Sequence, residues 1–334
     1  MTEESVLVRK DGRVGRILLN RPRALNALDL EMIRHCARAL ELWRSDPAVH
    51  AVVIEGAGER AFCAGGDIRA VRTHAMAGNR AAVESFFAEE YALNRLIAEY
   101  PKPYIALIDG ICMGGGIGLS VHGAYRVATE HALFAMPETA IGFLPDIGAS
   151  YVLPRLPGCL GIYLGLTGTR LEGADGVHAG FATHFVPRER LAALAAALAE
   201  DGPAVLATHA APLPAFSLAG HRAAIDRCFA AATIPEIIRR LEAEEGAFSR
   251  ETIATLRTMS PSSLFWSLEI LQRGARSTLA QALETELALT RTVTPHSDFL
   301  EGVRAMVVDK DRSPQWQPAR IEAVRPEEIA RLFD

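Results

Sequence analysis

The sequence predicts an α/β core followed by a helical C-terminal region. Three observations carry this reading. Short β-branched and apolar runs recur up to residue 186, and several of them end in glycine turns. Segments at helical spacing stand between those runs. Beyond about residue 190 the strand-like runs stop and helix-start signals replace them. The expected division is a core over 1–205 and a helical part over 206–334.

The elements follow in order. Residues 6–8 and 14–19 are apolar runs joined by Lys10-Asp11-Gly12-Arg13, and Asp-Gly between such runs signals a hairpin. After the loop NRPRALNAL (20–28), Ile33, Ala37, Leu40 and Trp43 recur at helical spacing until Asp46-Pro47. The strand HAVVIEG (50–56) precedes the glycine turn AFCAGGD (61–67), and an amphipathic helix over about 80–99 ends at Tyr100-Pro101. The strand PYIALIDG (103–110) runs into GICMGGGIGLS (110–120), which opens a short apolar helix over 116–122. YRVAT (125–129) and ALFAMPE (132–138) read as strands, and FLPDIGAS (143–150) as a turn. An Ala-rich helix (188–200) leads to the Pro-rich link AAPLPAF (210–216). Ser260-Pro261 then offers an N-cap with Pro at the first helical position, and Thr278 with Gln281 a capping box.

Composition narrows the function classes. With 334 residues, 49% hydrophobic and 22% charged, the chain is neither disordered nor fibrous. A net charge of −5 argues against a nucleic-acid or membrane-surface binder. Only Lys10, Lys102 and Lys310 are lysines, so contacts to an anionic ligand would fall mostly to Arg. The five cysteines are scattered without a CxxC pair, which fits a reducing cytoplasm better than a disulfide scaffold or thiolate metal site. The opening stretch MTEESVLVRKDGR is acidic and has no apolar run, unlike a targeting segment, and no stretch reaches the length of a membrane span.

The glycine clusters invite nucleotide binding, but the pattern fails. Gly116 and Gly118 begin a G-x-G-x-x-G whose last position is Val121, and no G-x-x-x-x-G-K-[ST] exists. A nucleophile elbow breaks at His122, and no HExxH is present. Two turns, near 65–66 and 114–116, remain. Each can present a backbone N–H to one oxygen, as an oxyanion hole requires; the competing reading is tight strand–helix packing.

NRPRALNAL (20–28), AFCAGGDI (61–68), DGICMGGGIGLS (109–120) and MPETAIGFLPDIGAS (136–150) resemble, in order and spacing, the successive motifs of the crotonase (enoyl-CoA hydratase/isomerase) superfamily. FFAEEYALN (86–94), GLSVHGAYRVATE (118–130) and the tail DFLEGVRAMVVDKDRSPQWQP (298–318) are similar to its 3-hydroxyisobutyryl-CoA hydrolase branch, and the likeness covers nearly the whole chain. The resemblance implies a crotonase-like spiral of repeated β-β-α units with a helical C-terminal domain. It implies oxyanion donors in the N–H groups of Gly66 and Gly115. It implies CoA contacts at Arg23, Ala24, Ala64, Asp67 and Ile68, and a substrate contact at Pro137. Arg23 reads otherwise as a solvated loop residue. The resemblance implies no cofactor, since coenzyme A belongs to the substrate, and a homo-oligomer, a trimer or hexamer.

Glu138 and Asp146 lie in apolar sequence, unusual for free carboxylates. Burial and a nearby like charge would raise a carboxyl pKa and suit a general base; a helix cap and a turn residue are the plainer readings. The resemblance makes both the hydrolase's catalytic pair and gives Glu90, otherwise an ordinary helix-face residue, a substrate contact. Hydratases of the superfamily carry a second catalytic Glu where this chain has Gly118, so a two-glutamate hydratase site is not available. The expected activity is hydrolysis of a short 3-hydroxyacyl-CoA, 3-hydroxyisobutyryl-CoA above all, in valine breakdown. Glu138 would either activate water or attack directly. An enoyl-CoA isomerase or hydratase using Glu138 alone is the competing enzyme, and a non-catalytic acyl-CoA-binding scaffold the competing class.

Overall fold

The computed structural model describes residues 4–333; the first three residues of the acidic opening stretch, and Asp334 of the helical part, lie outside the described residues. The chain divides into two compact units, each gathered from three stretches. One comprises the chain up to Asp67, Glu89–Ala135 and Arg170–Phe216; the other comprises Ile68–Ala88, Met136–Thr169 and the chain from Ser217 onward. The division along the chain expected near residue 205 is thus crossed by interleaving: two early stretches group with the late helices.

The first unit holds the strands. They are β1 (Val6–Asp11), β2 (Val14–Leu19), β3 (Ala51–Gly56), β4 (Ala61–Cys63), β5 (Tyr104–Ile108), β6 (Ile111–Met113), β7 (Tyr125–Ala128), β8 (Leu133–Ala135), β9 (Leu171–Glu172) and β10 (His184–Phe185). One sheet has the order β1-β2-β3-β5-β7-β10, the other β4-β6-β8-β9. β1 and β2 form the antiparallel hairpin expected from Asp11-Gly12, pairing Val6 with Leu19 through to Asp11 with Val14. β2, β3, β5, β7 and β10 are parallel, so the chain must cross over between them. The expected run 103–110 ends at Ile108; Gly110, at φ +89°, turns the chain so that Ile111–Met113 starts a strand of the second sheet.

Val14, Val53, Ile105, Leu107 and Val127 form one face of the first sheet, and Leu194 and Leu198 of the helix Arg188–Asp201 pack on it. The helical run Arg188–His209 is long and apolar enough to cross a membrane by length and composition. Its buried leucines, including Leu206, instead face this core, which is how an apolar helix serves a sheet.

The second unit is helical. The helix Pro261–Gly274 is capped by Ser260, whose side chain accepts from the Ser263 N–H, and the helix Leu279–Val293 has the expected Thr278/Gln281 capping box. Ser260 Oγ also donates to the buried Asp298 Oδ2 at 2.6 Å. Ser260→Ala therefore removes a cap, worth about 1 kcal/mol, and strips a donor from a buried carboxylate, worth about 1.5–3 kcal/mol. The urea midpoint is expected to fall accordingly; an unchanged midpoint would refute the assignment.

Candidate active site

In the strand-bearing unit the loop 20–28 is a structural clamp. Leu25 and Asn26 adopt left-handed backbone (φ +53° and +55°), which short polar Asn tolerates well. Asn26, fully buried, donates from Nδ2 to the carbonyls of Ala57 and Ala61 and accepts from the Arg21 N–H, tying the loop to the segment entering β4. Leu28 N–H donates to the Gly65 carbonyl at 2.8 Å, and Asp67 N–H to the Leu28 carbonyl at 2.7 Å. This pairing leaves the intervening Gly66 N–H pointing away from Leu28. Gly65, at φ +108°, makes the turn that presents it, a conformation that favours glycine.

The second glycine turn repeats the device. Gly114 (φ +47°, ψ −121°) is the N-cap of a helix that runs Gly115–Val121, one residue earlier than expected. Gly115 N–H is among the first donors of that helix, which have no intrahelical partner. A Cβ on Gly115 would fall 3.2 Å from the Gly66 amide nitrogen and would collide with Glu90 Oε1, so the two glycines and Glu90 share one small space. Glu90, on the helix Arg80–Ala98, is 2% exposed rather than on a solvated face. Ser120 bonds back to the carbonyls of Gly116 and Ile117 and serves packing.

In the helical unit Pro137 is the N-cap of the 3-10 turn Glu138–Ile141. The Phe143 N–H closes this turn on the Glu138 carbonyl at 3.0 Å. The Phe143 ring stacks on Phe87 and tilts against Phe299, each at 5.5 Å between centroids, and Ser263 Oγ donates to its carbonyl. Thr139 Oγ1 donates to the Leu166 carbonyl, and the Ser260 N–H to that of Thr139. The backbone bearing Glu138 is therefore held from several helices amid apolar side chains. Glu138 is 5% exposed, and its Oε2 has no hydrogen-bond partner among the described residues. Burial first, then the Asp146 charge, raise its pKa well above the usual 4.5. Asp146, 6% exposed, follows Pro145 on a loop of the same unit.

The expected site residues thus fall into two sets. Gly66, Gly115 and Glu90 are assembled in the strand-bearing unit; Glu138 and Asp146 interact in the helical one. Ala64 and Asp67 are half-buried beside Gly66, and Ile68 opens the helix Ile68–Met76 of the helical unit. Arg23 and Ala24 are exposed on the short turn Pro22–Ala24. It is Arg21, not Arg23, that reaches the glycine segment, through an ion pair with Asp67 at 3.4 Å. Sequence reasoning passed over Arg21 and Asn26, and also Glu286, whose buried carboxylate accepts from the Gly148 and Ser150 N–H groups just after Asp146. The clue for Asn26 was an Asn in an otherwise apolar stretch; Glu286, 136 and 138 residues from its partners, left none.

The family model described as enoyl-CoA hydratase/isomerase matches residues 14–333. A mitochondrial 3-hydroxyisobutyryl-CoA hydrolase of Danio rerio is 46% identical over 98% of this chain and 89% of its own length. The Homo sapiens protein of the same name is 46% identical over 99% and 88%. A solved carnitinyl-CoA dehydratase from Mycobacterium thermoresistibile is 40% identical, with a TM-score of 0.95 over 99% of this chain and 97% of that one. These findings correct the cytoplasmic location expected from the thiols and the acidic opening stretch, because the curated relatives are mitochondrial by name. Scattered thiols speak only against an oxidising compartment and do not separate two reducing ones. The fold is the crotonase-type α/β architecture, and the chain belongs to the enoyl-CoA hydratase/isomerase family, alongside its 3-hydroxyisobutyryl-CoA hydrolases.

Proposed function

We propose that the protein hydrolyses a short 3-hydroxyacyl-CoA thioester, 3-hydroxyisobutyryl-CoA, to the free hydroxy acid and coenzyme A. The observation that carries this reading is the buried Glu138–Asp146 pair together with glycine at 118. Adding water across C=C calls for one group to activate water and another to deliver a proton. Cleaving a thioester calls for one base, donors to the carbonyl oxygen and a water.

The carbonyl oxygen accepts from the Gly66 and Gly115 N–H groups, which act as an oxyanion hole. Glu138 takes a proton from water as the water oxygen bonds to the carbonyl carbon. The tetrahedral oxyanion collapses, the C–S bond breaks, and the leaving sulfur takes the proton held by Glu138. Asp146 orients the water or the substrate hydroxyl. Glu90 bounds the acyl end, and Arg23, Ala24, Ala64, Asp67 and Ile68 line the coenzyme A portion. No cofactor is called for. The reaction places the enzyme in valine degradation, and the assembly is a homo-oligomer of the trimeric kind, which sedimentation velocity tests.

The decisive assay presents a panel of 3-hydroxyacyl-CoA and enoyl-CoA esters and follows free thiol alongside enoyl absorbance. Thiol release, fastest with the 3-hydroxyisobutyryl ester, is expected. Loss of enoyl absorbance without thiol would favour the lyase chemistry of the dehydratase-named neighbour, and binding without turnover would favour a scaffold. Rapid acid quench with mass spectrometry checks the base role, since an acyl adduct on Glu138 would replace it with direct attack.

A further inference from the structure

We propose that Glu286 is the positioning residue for Asp146, holding it from a different helix. The inference rests on the hydrolase reading, in which Asp146 acts on the water or the substrate.

Asp146 sits before an awkward piece of backbone. Ile147 and Gly148 are consecutive left-handed residues, at φ +58° and +80°. A β-branched residue there is an outlier that surrounding structure must hold in place. The Asp146 carbonyl accepts from the Ala149 N–H at 2.8 Å, opening the short helix Ala149–Val152, which has no side-chain cap of its own.

Glu286, on Leu279–Val293 and fully buried, supplies what is missing. Its Oε2 accepts from the Gly148 N–H at 2.7 Å, and its Oε1 from the Ser150 N–H at 3.0 Å and from the Ser150 hydroxyl. Both carboxyl oxygens are thus anchored, by three donors in all, on the segment that follows Asp146. A glutamate without a task would not survive at such a position cheaply, because burying a carboxylate costs far more than burying an apolar side chain.

Glu286 is also electrically coupled to Asp146. Burial chiefly, with the Asp146 charge, pushes its pKa up to about 8, against the pull of Ser150 and Gly148. Other titratable groups nearby are Glu138, which also faces the Asp146 charge, Tyr151 on the short helix with Arg155 stacked on its ring, and Glu284 and Arg291 on the helix of Glu286, Arg291 being paired with Glu84. Glu269 and Arg273, on the helix Pro261–Gly274 that packs on the short one, pair with each other.

The test compares Glu286→Gln, Ser150→Ala and Asp146→Asn by kcat and KM, with folding checked by circular dichroism and thermal melting. Glu286→Gln is expected to lose about 10²-fold in kcat, the scale of a misplaced reacting group, with little change in KM. That split between kcat and KM marks a positioning role, since a general loss of structure would move both. Ser150→Ala keeps the Glu286 carboxyl and loses one anchor, so kcat should fall less. Wild-type kcat in Glu286→Gln, while Asp146→Asn is impaired, overturns the proposal. Should Glu286→Gln fail to fold, a folded Ser150→Ala with wild-type kcat overturns it and a reduced kcat supports it. If Asp146→Asn turns over normally, the role given to Asp146 fails first, and that outcome is distinguishable from the others.

Discussion

Glu138→Gln is expected to lose about 10²–10⁴-fold in turnover, the span a positioned general base contributes, while still binding the acyl-CoA. Gln fills the same volume and keeps a polar tip but cannot accept a proton. The pH dependence follows from the same carboxyl. With Glu138 as the base, as proposed, the wild-type rate should rise with pH along a limb displaced above the usual carboxylate range by burial and the Asp146 charge. The stability consequence has a definite sign. The folded pKa is raised above the ordinary 4.5. The stability contributed by the protonated group is therefore complete below that value and lost as pH rises through the folded pKa. At alkaline pH the wild type carries a buried charge that the variant lacks, so Glu138→Gln should need more urea to unfold there, and no more at acid pH. Near-normal turnover would sink the assignment; a variant less stable at alkaline pH would contradict its electrostatic basis.

Much of the fold was legible because its cues are local. Asp11-Gly12 between two apolar runs specifies its hairpin whatever packs on it, and Ser260-Pro261 and the Thr278/Gln281 box specify helix starts in the same way. What was not legible is non-local. β4 and β6 are three residues each, too short for a periodic signal, and gain strand character only by pairing across 50 residues of chain. The interleaving of stretches 68–88 and 136–169 with the late helices has no mark in composition.

The site divides along the same line. Glu138 and Asp146 stood out because charged residues in apolar sequence are rare, and the glycine turns near 65–66 and 114–116 because they follow strands; that Gly66 and Gly115 are the donors came from the family resemblance. Arg23 and Arg21 are two residues apart in one loop, and nothing local says which turns toward Asp67; in the fold it is Arg21, whose backbone N–H is held by the buried Asn26. Glu90 is the inverse case. Its helical spacing resembles that of a solvated residue, yet it is buried because the glycine-only wall at Gly115 leaves room for its carboxylate.

That wall gives the second large effect. Gly115→Ala is expected to lower kcat by about 10²–10³-fold, as removal of one oxyanion donor does elsewhere, although the amide itself is retained. Gly115 lies in a helix, where alanine is favoured over glycine by about 0.8–1 kcal/mol, so the backbone does not object. The objection is spatial. The new methyl would meet Glu90 Oε1 and lie 3.2 Å from the Gly66 nitrogen, the space a carbonyl oxygen needs in order to reach both donors. Relieving the overlap by moving Glu90 would disturb the acyl end, and moving the helix would pull the two N–H groups out of register. Overpacking of this kind also costs about 1–3 kcal/mol of stability, so rates must be measured on protein shown to be folded. Gly220→Ala is the control, because a Cβ there meets nothing within 4 Å; it should leave kcat alone. Infrared difference spectra of a bound, slowly cleaved thioester give an independent reading. The carbonyl band should shift to lower frequency in the wild type and lose most of that shift in Gly115→Ala. A folded Gly115→Ala with wild-type kcat and an unaltered carbonyl band would remove Gly115 from the oxyanion site.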